Sequence, residues 1–160
     1  MEVNVEDFHY AVSCKKGKRE FMEDTHNAIL NVLGDSKQAF FGVFDGHSGR
    51  KAAVFAAQNI GQNILDAMLG MENETEDIVE QAVRNGYLTT DAEFLKQEVG
   101  SGTACVTALI INGNLVVSNA GDCRAVISRN GAPEALTCDH RGGIVDLRHG
   151  VWRVDRKSVV

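Results

Sequence analysis

The sequence predicts a single α+β, layered domain in which strands precede and follow a pair of helices. Two observations carry this prediction. Short apolar or alternating runs occur before residue 45 and after residue 102, and between them lie two long segments with apolar residues at helical spacing. The length of 160 residues is typical of one domain, and a single proline leaves no Pro-rich linker that would divide the chain.

Three strand candidates open the chain. Residues 8–14 form a short one, and residues 25–33 alternate imperfectly before a turn at 34–36. Residues 39–44 are a continuous apolar run that is rich in phenylalanine and too short for a helix. This run predicts a buried strand.

Two helices are predicted in the middle of the chain. Apolar residues recur at helical spacing over 50–69, and Gly70 ends that pattern. Asn73, followed by Glu76 three residues later, is a helix-start signal, and the second helix extends to about residue 97. Each helix has one apolar face that can pack on a sheet.

The second half predicts two β-hairpins. Residues 103–111 and 115–118 flank Asn112-Gly113, and residues 124–128 and 135–137 flank Asn130-Gly131. Asn and Gly tolerate the positive φ of tight hairpin turns. The pattern then weakens into a short apolar stretch at 143–147, a Gly-Val-Trp-Arg segment at 150–153 and a polar tail at 155–158.

Composition excludes several classes of function. The 22 acidic against 16 basic residues give a net charge of −6, which disfavours a general nucleic-acid binder. No run approaches the roughly 18 apolar residues of a membrane span, and the acidic N-terminus lacks the features of a secretory signal. We therefore expect a soluble intracellular protein, cytoplasmic and/or nuclear, without nucleic-acid or membrane partners; no oligomeric state is predicted.

The segment Asp45-Gly46-His47 is the most informative one, because it lies where a predicted strand ends and a predicted helix begins. The Asp45 carboxylate and the Gly46 carbonyl are oxygen donors suited to a hard divalent cation. His47 can donate a proton near neutral pH. The alternative is an ordinary Asp-Gly turn.

A second segment, REFMED at 19–24, begins at the last residue of a basic loop, residues 15–19. The planar guanidinium of Arg19 can bind a phosphate with two hydrogen bonds, and Glu23 or Asp24 could share a divalent ion with Asp45. The alternative for a charged hexapeptide taken alone is a solvated loop.

Four segments together resemble one family. REFMED at 19–24, VFDGH at 43–47, GTA at 102–104 and NAGDCRA at 119–125 look like successive signatures of the metal-dependent, type 2C Ser/Thr protein phosphatases, with the resemblance closest to plant members. It covers about residues 8–153, and residues 154–160 diverge as a tail. We therefore treat 1–160 as a single, partial phosphatase-like domain.

The resemblance implies a fold and a metal centre. The family folds as an antiparallel β-sandwich flanked by helices, with two Mg²⁺ or Mn²⁺ ions at one end. Asp45 would bridge both ions, and Gly46 would bind through its carbonyl. Glu23 would bind one ion or its water, with Asp24 behind it.

The resemblance also implies a substrate and a reaction, the dephosphorylation of phosphoserine and phosphothreonine proteins by a metal-activated water. Arg19 would bind the substrate phosphate, and His47 would protonate the departing oxygen. By the same comparison, Asp122 and Arg124 would fix a turn and a strand without binding metal.

The chain also departs from the family. Family members continue past the Gly-Val-Trp-Arg segment into a long C-terminal half that supplies further aspartates to the metal pair, and Ser48 stands where a glycine is usual. We expect a C-terminally truncated relative whose metal site is incomplete and whose activity is reduced or lost.

Two alternatives to a phosphatase stay open. One is a non-catalytic phosphoprotein-binding or interaction module, in which Arg19 holds phosphoproteins without hydrolysing them. The other is a product without a stable fold, which would show no cooperative unfolding transition.

Overall fold

Regular secondary structure makes up most of the computed structural model, which describes residues 9–70, 76–140 and 151–155. In chain order the elements are β1 (Thr25–Leu30), β2 (Ala39–His47), α1 (Lys51–Leu69), α2 (Glu76–Leu95), β3 (Gly102–Ile111), β4 (Asn114–Ala120), β5 (Val126–Arg129), β6 (Ala132–Ala135) and β7 (Val151–Asp155). A short 3-10 turn, Val32–Gly34, connects β1 to β2.

Five of these strands form one antiparallel sheet in the order β1-β2-β3-β4-β7. The strand predicted at 39–44 is confirmed, but its predicted end was wrong, since β2 continues to His47. The reason is the long-range register: the backbone of residues 45–47 pairs with residues 104–102 of β3. The Asp-Gly pair therefore lies inside a strand, where the sequence equally allowed a turn.

Both predicted helices lie on one side of this sheet: α1 packs on β1, β2 and β3, whereas α2 packs mainly on α1 and reaches β3 through the hydrogen bond between Tyr87 and Thr107. The first is confirmed as α1, with Gly70 as its C-terminal cap residue. The second ends at Leu95, two residues before the predicted end, and its predicted start at Asn73 lies outside the described residues. The buried core between helices and sheet includes Phe40, Phe44, Ile60, Ile64, Val83, Leu109, Ile111 and Val116.

A second antiparallel sheet, the β5–β6 hairpin, covers part of the opposite face. Val117 of β4 and Leu136 are buried there, with Val106, Leu115 and Ile127 packed around them. Two sheets therefore face each other across an apolar layer, with helices outside one of them. This confirms the predicted α+β class and the incomplete antiparallel β-sandwich.

Both predicted hairpin turns are confirmed, but the strand predicted at 135–137 was placed too late, because pairing resumes directly after Gly131 and β6 covers Ala132–Ala135. The turns between β3 and β4 and between β5 and β6 are Asn-Gly pairs in which both residues have positive φ: 49° and 75° at Asn112 and Gly113, and 51° and 80° at Asn130 and Gly131. These values match the turn type that suits the twist of antiparallel strands. Side-chain chemistry in the turns therefore determined where the strands reverse.

The prediction of a strand at 8–14 was wrong over residues 9–14, none of which is in a strand. Tyr10 instead packs against Phe41 of β2, with 5.2 Å between ring centroids. The apolar stretch predicted at 143–147 lies outside the described residues, and the predicted polar tail overlaps β7 at Asp155, which pairs with Asn114. Neither described helix has the length and apolar character needed to cross a bilayer.

Close contact between the two helices depends on Gly86 of α2. A Cβ atom at Gly86 would lie 2.8 Å from the backbone nitrogen of Ile64 in α1. Since this neighbour is backbone, it cannot rotate away. We expect Gly86→Ala to lower the free energy of unfolding by about 1–3 kcal/mol, measured by urea denaturation followed by circular dichroism.

Gly70→Ala is the matched control for this substitution. Gly70 has φ −78°, and a Cβ there would approach no atom closer than 3.7 Å. We expect its stability to change by less than about 0.5 kcal/mol. Equal stability of the two variants would contradict the close packing of the helices.

Candidate active site

Asp45, Gly46 and His47 are the last three residues of β2. Phe44 and Gly46 are buried toward the helices, whereas Asp45 and His47 are exposed, as expected from the alternation of side chains along a strand. The Asp45 carboxylate therefore lies on the sheet face opposite the helices. The hydroxyl of Thr103 on β3 donates a hydrogen bond to the Asp45 carbonyl at 3.0 Å, which helps to fix this end of the strand.

The segment before β1 lies directly against Gly46. A Cβ atom at Gly46 would lie 2.5 Å from the Glu23 carbonyl oxygen and 3.1 Å from Cβ of Ala53 in α1. Only a residue without a side chain allows this approach. The contact brings the REFMED segment to the end of β2, where the sequence predicted the two segments to meet.

Glu23 has a hydrogen-bond partner that the sequence did not predict. Its Oε1 accepts a hydrogen bond of 2.6 Å from the backbone N–H of Gly49, in the loop between β2 and α1. Ser48 and Gly49 both have positive φ in this loop, 59° and 103°. The left-handed conformation of Ser48 explains why a glycine suits that position, and the Glu23 carboxylate stabilises the loop.

The charge of Asp45 is set by its neighbours. Partial burial raises its pKa above the ordinary value, and the negative charges of Asp24 and Asp122 raise it further, while His47 and Arg19 lower it. Carboxylates from three separate segments are thus close enough to influence one another. The structure brings all six residues that the sequence singled out to one corner of the sheet: Arg19, Glu23, Asp24, Asp45, Gly46 and His47.

The sequence interpretation assigned Asp122 only to fixing a turn, and its position beside Asp45 was not predicted. Asp122 follows Gly121, whose φ is 89° and whose Cα approaches β3 so closely that a Cβ would lie 2.7 Å from Cβ of Ala104. Ala104 is the register partner of Asp45, so the turn places Asp122 beside Asp45. The sequence did contain a signal, since Gly121-Asp122 directly follows the last residue of β4. Interpreting this signal required the pairing of β2 with β3 and of β3 with β4.

Buried Asn119 holds this turn in place. It is 1% exposed, and its Nδ2 donates to the carbonyls of Gly121, Cys123 and Cys138 at 3.2, 3.4 and 2.9 Å. The pKa of the Cys123 thiol is raised to about 11, mainly by burial. A hydrogen bond between that thiol and the Asp45 backbone acts in the opposite direction. The turn therefore contacts the end of β2.

The role predicted for Arg124, fixing a turn and a strand, fits its contacts. Its Nε and Nη2 each donate to one carboxylate oxygen of Asp139 at 2.6 Å. This two-point ion pair raises the pKa of Arg124. Arg124 joins the segment after β4 to the segment after β6, and its positive charge is paired with Asp139.

The donors at this corner are oxygens of the kind that Mg²⁺ and Mn²⁺ prefer. A divalent cation would also relieve the repulsion among Asp24, Asp45 and Asp122, so the charge of the corner fits such an ion. Within residues 9–70, 76–140 and 151–155, however, no three or more His, Cys, Asp or Glu side chains converge closely enough to hold a metal ion. The corner thus has suitable donors without a converged ligand set.

A cavity of about 560 Å³ lies between the two helices and β3. Of the six predicted site residues, only His47 lines it. Its walls are mainly apolar and include Phe55, Ile60, Leu88, Phe94 and Val99. The cavity therefore adjoins the predicted proton donor and lies apart from the carboxylates.

Comparisons with known proteins agree with this fold. The family model described as Protein phosphatase 2C matches residues 8–144. Probable protein phosphatase 2C 25 of Arabidopsis thaliana is 53% identical over 173 aligned positions, which cover 99% of this chain and 43% of that protein. Probable protein phosphatase 2C 2 of the same plant is 55% identical, over 94% of this chain and 43% of that protein.

Solved structures show the same likeness. A serine-threonine phosphatase 2C from Toxoplasma gondii is 26% identical with a TM-score of 0.59, over 77% of this chain and 47% of that one. A sex determining protein of C. elegans, 22% identical with a TM-score of 0.65 over 78% of this chain and 32% of that one, shares the fold. The chain belongs to the protein phosphatase 2C family. It spans less than half the length of the two Arabidopsis relatives.

Gly46→Ala tests the contact that assembles the corner. The added methyl group would meet the Glu23 carbonyl, which is backbone and cannot rotate aside. We expect the free energy of unfolding to fall by about 1–3 kcal/mol, measured by urea denaturation. We also expect the amide signals of Glu23 and Gly49 to shift in nitrogen–proton NMR spectra, because the hydrogen bond between them is strained.

Gly100→Ala is the control, since no atom lies within 4 Å of a Cβ at that position. It should leave both the stability and the two amide signals nearly unchanged. If Gly46→Ala behaved like this control, the packing of the REFMED segment against β2 would be refuted.

Proposed function

We propose that this protein is a metal-dependent protein serine/threonine phosphatase that hydrolyses phosphoserine and phosphothreonine in other proteins. One observation carries the proposal: the segment before β1 packs against Gly46, so that the pKa of Asp45, raised first by burial, is raised further by the carboxylates of Asp24 and Asp122 and lowered by the Arg19 guanidinium. Metal-assisted phosphate hydrolysis needs carboxylates that can bind divalent cations and, beside them, a positively charged group that can bind the phosphate.

The proposed roles follow from the donors. Asp45 and the Gly46 carbonyl would hold Mg²⁺ or Mn²⁺, with Asp24 and Asp122 adding negative charge and Glu23 acting through its oxygens or through the loop that it stabilises. Divalent ions at such a site supply a water of lowered pKa and neutralise the phosphoryl oxygens. Arg19, which is exposed, would bind and orient the phosphate through two parallel N–H groups.

His47 is the proposed proton donor. Its side chain is exposed at the end of β2, two residues from Asp45. An imidazolium near neutral pH can protonate the serine or threonine oxygen as the P–O bond breaks, so that the alcohol leaves in neutral form. The positive charge of His47 also lowers the pKa of Asp45 and so favours the ionised carboxylate.

We also propose that the 160-residue chain by itself hydrolyses phosphoproteins slowly. Divalent-ion affinity depends on the number and rigidity of the charged ligands, and the described residues bring no three candidate ligands together. The same observation favours a second candidate function, a non-catalytic phosphoprotein-binding module in which Arg19 still binds the phosphate.

Hydrolysis of a phosphothreonine peptide and of p-nitrophenyl phosphate at millimolar Mn²⁺ tests the proposal. We expect Asp45→Asn to lower the rate by at least about tenfold, because it removes a charged cation ligand. Asp66→Asn on α1 is the control, since Asp66 is exposed and, among the residues that the structure describes, its side chain pairs only with Gln62. This control should keep the activity of the unaltered chain.

Three outcomes separate the two functions. Mn²⁺-dependent hydrolysis that Asp45→Asn abolishes supports the phosphatase. Phosphopeptide binding that is lost in Arg19→Ala, without hydrolysis above the Asp45→Asn level, supports the binding module. Neither hydrolysis nor Arg19-dependent binding would overturn both.

A further inference from the structure

The basic loop, residues 15–19, is not explained by the proposed chemistry. It carries four positive charges in five residues, in a chain whose net charge is −6. All five residues are exposed. Only Arg19 among the four cations has a proposed role, so the other three, Lys15, Lys16 and Lys18, need a separate account.

Lys16 has a structural role in the loop. Its Nζ donates to the carbonyls of Arg19 at 2.7 Å and Glu20 at 3.4 Å, and the Arg19 N–H donates back to the Lys16 carbonyl at 3.4 Å. The chain reverses at Gly17, whose φ is 63°. These hydrogen bonds close the loop and hold the backbone of Arg19.

Lys15 and Lys18 are the two cations left for a partner. Within the described part of the chain, neither side chain makes an ion pair or a hydrogen bond. They flank Lys16, whose hydrogen bonds close the loop, and Lys18 directly precedes Arg19 in the chain. Two lysines without a partner among the described residues therefore lie in the same five-residue loop as the group that is proposed to bind the phosphate.

The position of the loop determines what these lysines can reach. Four residues after Arg19, the Glu23 carbonyl packs against Gly46, and the charge of Arg19 acts on Asp45, so the loop borders the corner formed by Asp24, Asp45 and Asp122. An extended peptide advances about 3.3 Å per residue. Acidic side chains one to three positions from a phosphorylated residue held by Arg19 would thus fall within about 10 Å of the phosphate, within reach of flexible lysine side chains.

We propose that Lys15 and Lys18 form a specificity subsite that selects phosphoproteins with acidic residues within about three positions of the phosphorylated serine or threonine. The proposal rests on the proposed function, since it takes Arg19 as the phosphate ligand. The carboxylates of Asp24 and Asp122 repel an acidic peptide, so acidic flanks bind on the side of the basic loop. Exposed ion pairs are individually weak, and two of them give a preference of about two- to tenfold.

Peptide binding in the presence of EDTA, which prevents turnover, tests this subsite. Three fluorescent phosphothreonine peptides differ only in two flanking residues on each side, which are Glu, Gln or Lys, and each has an unphosphorylated counterpart. We expect fluorescence anisotropy to show about fivefold tighter binding of the Glu-flanked than of the Gln-flanked phosphopeptide. The difference should shrink at high salt, because exposed charges are screened.

Charge reversal locates the preference. Lys15→Glu combined with Lys18→Glu should abolish the preference for the Glu-flanked phosphopeptide. Lys37→Glu combined with Lys96→Glu changes the net charge equally at two exposed lysines elsewhere and should retain it. An equal loss in both double variants would show that net charge, and no subsite, causes the preference.

The outcomes distinguish this inference from the proposed function. Phosphate-dependent binding with equal affinity for all flanks would overturn the subsite and leave the phosphate site intact. A preference for Glu flanks that is independent of phosphorylation would support the subsite and contradict the role of Arg19. Binding of none of the six peptides would overturn both.

Discussion

The close contact between Gly46 and the Glu23 carbonyl is the constraint on which the rest of the site depends. Because Gly46 has no side chain, the end of β2 and the segment before β1 meet at backbone distance. From that position the Glu23 carboxylate binds the Gly49 N–H and stabilises the loop into α1. The same contact carries Asp24 and Arg19 to within electrostatic range of Asp45. A side chain at position 46 would therefore disturb the loop, the carboxylates and the guanidinium together.

Backbone packing holds Asp24, Asp45 and Asp122 together at the acidic corner, although their negative charges repel one another. Gly121 lies against Ala104, and the Asn119 amide binds three carbonyls around the turn, so Asp122 is placed beside Asp45 by neutral contacts. Since burial and two neighbouring carboxylates raise the pKa of Asp45 in the fold, stability is lost as pH rises through that pKa. A fold that concentrates like charges gives up stability locally, and such conflicts are typical of functional sites. A bound cation would relieve this repulsion, which agrees with the proposed chemistry.

Local patterns predicted most of the fold and the position of its candidate site. Helical spacing identified α1, and the Asn-Gly pairs identified both hairpins, because each signal lies within a few neighbouring residues. The end of β2 was misjudged because Asp45-Gly46-His47 is turn-like in composition, and only its pairing with distant β3 makes it a strand. The position of Asp122 beside Asp45 and the Glu23–Gly49 hydrogen bond were not predicted for the same reason, since both depend on segments that are distant in sequence. The strand prediction for residues 9–14 was wrong because this segment contacts the sheet without pairing with it, as the packing of Tyr10 on Phe41 shows.

The central claim is that segments 19–24, 45–47 and 121–123 form one corner that attracts a divalent cation. The most direct measurement is paramagnetic broadening of backbone amide signals in the nitrogen-15-labelled chain as substoichiometric Mn²⁺ is added. We expect the amides of Asp24, Gly46 and Asp122 to broaden together and before those of α2, and Asp45→Asn to weaken all three effects. Broadening confined to one of these segments, or strongest along the acidic residues of α2, would contradict the central claim.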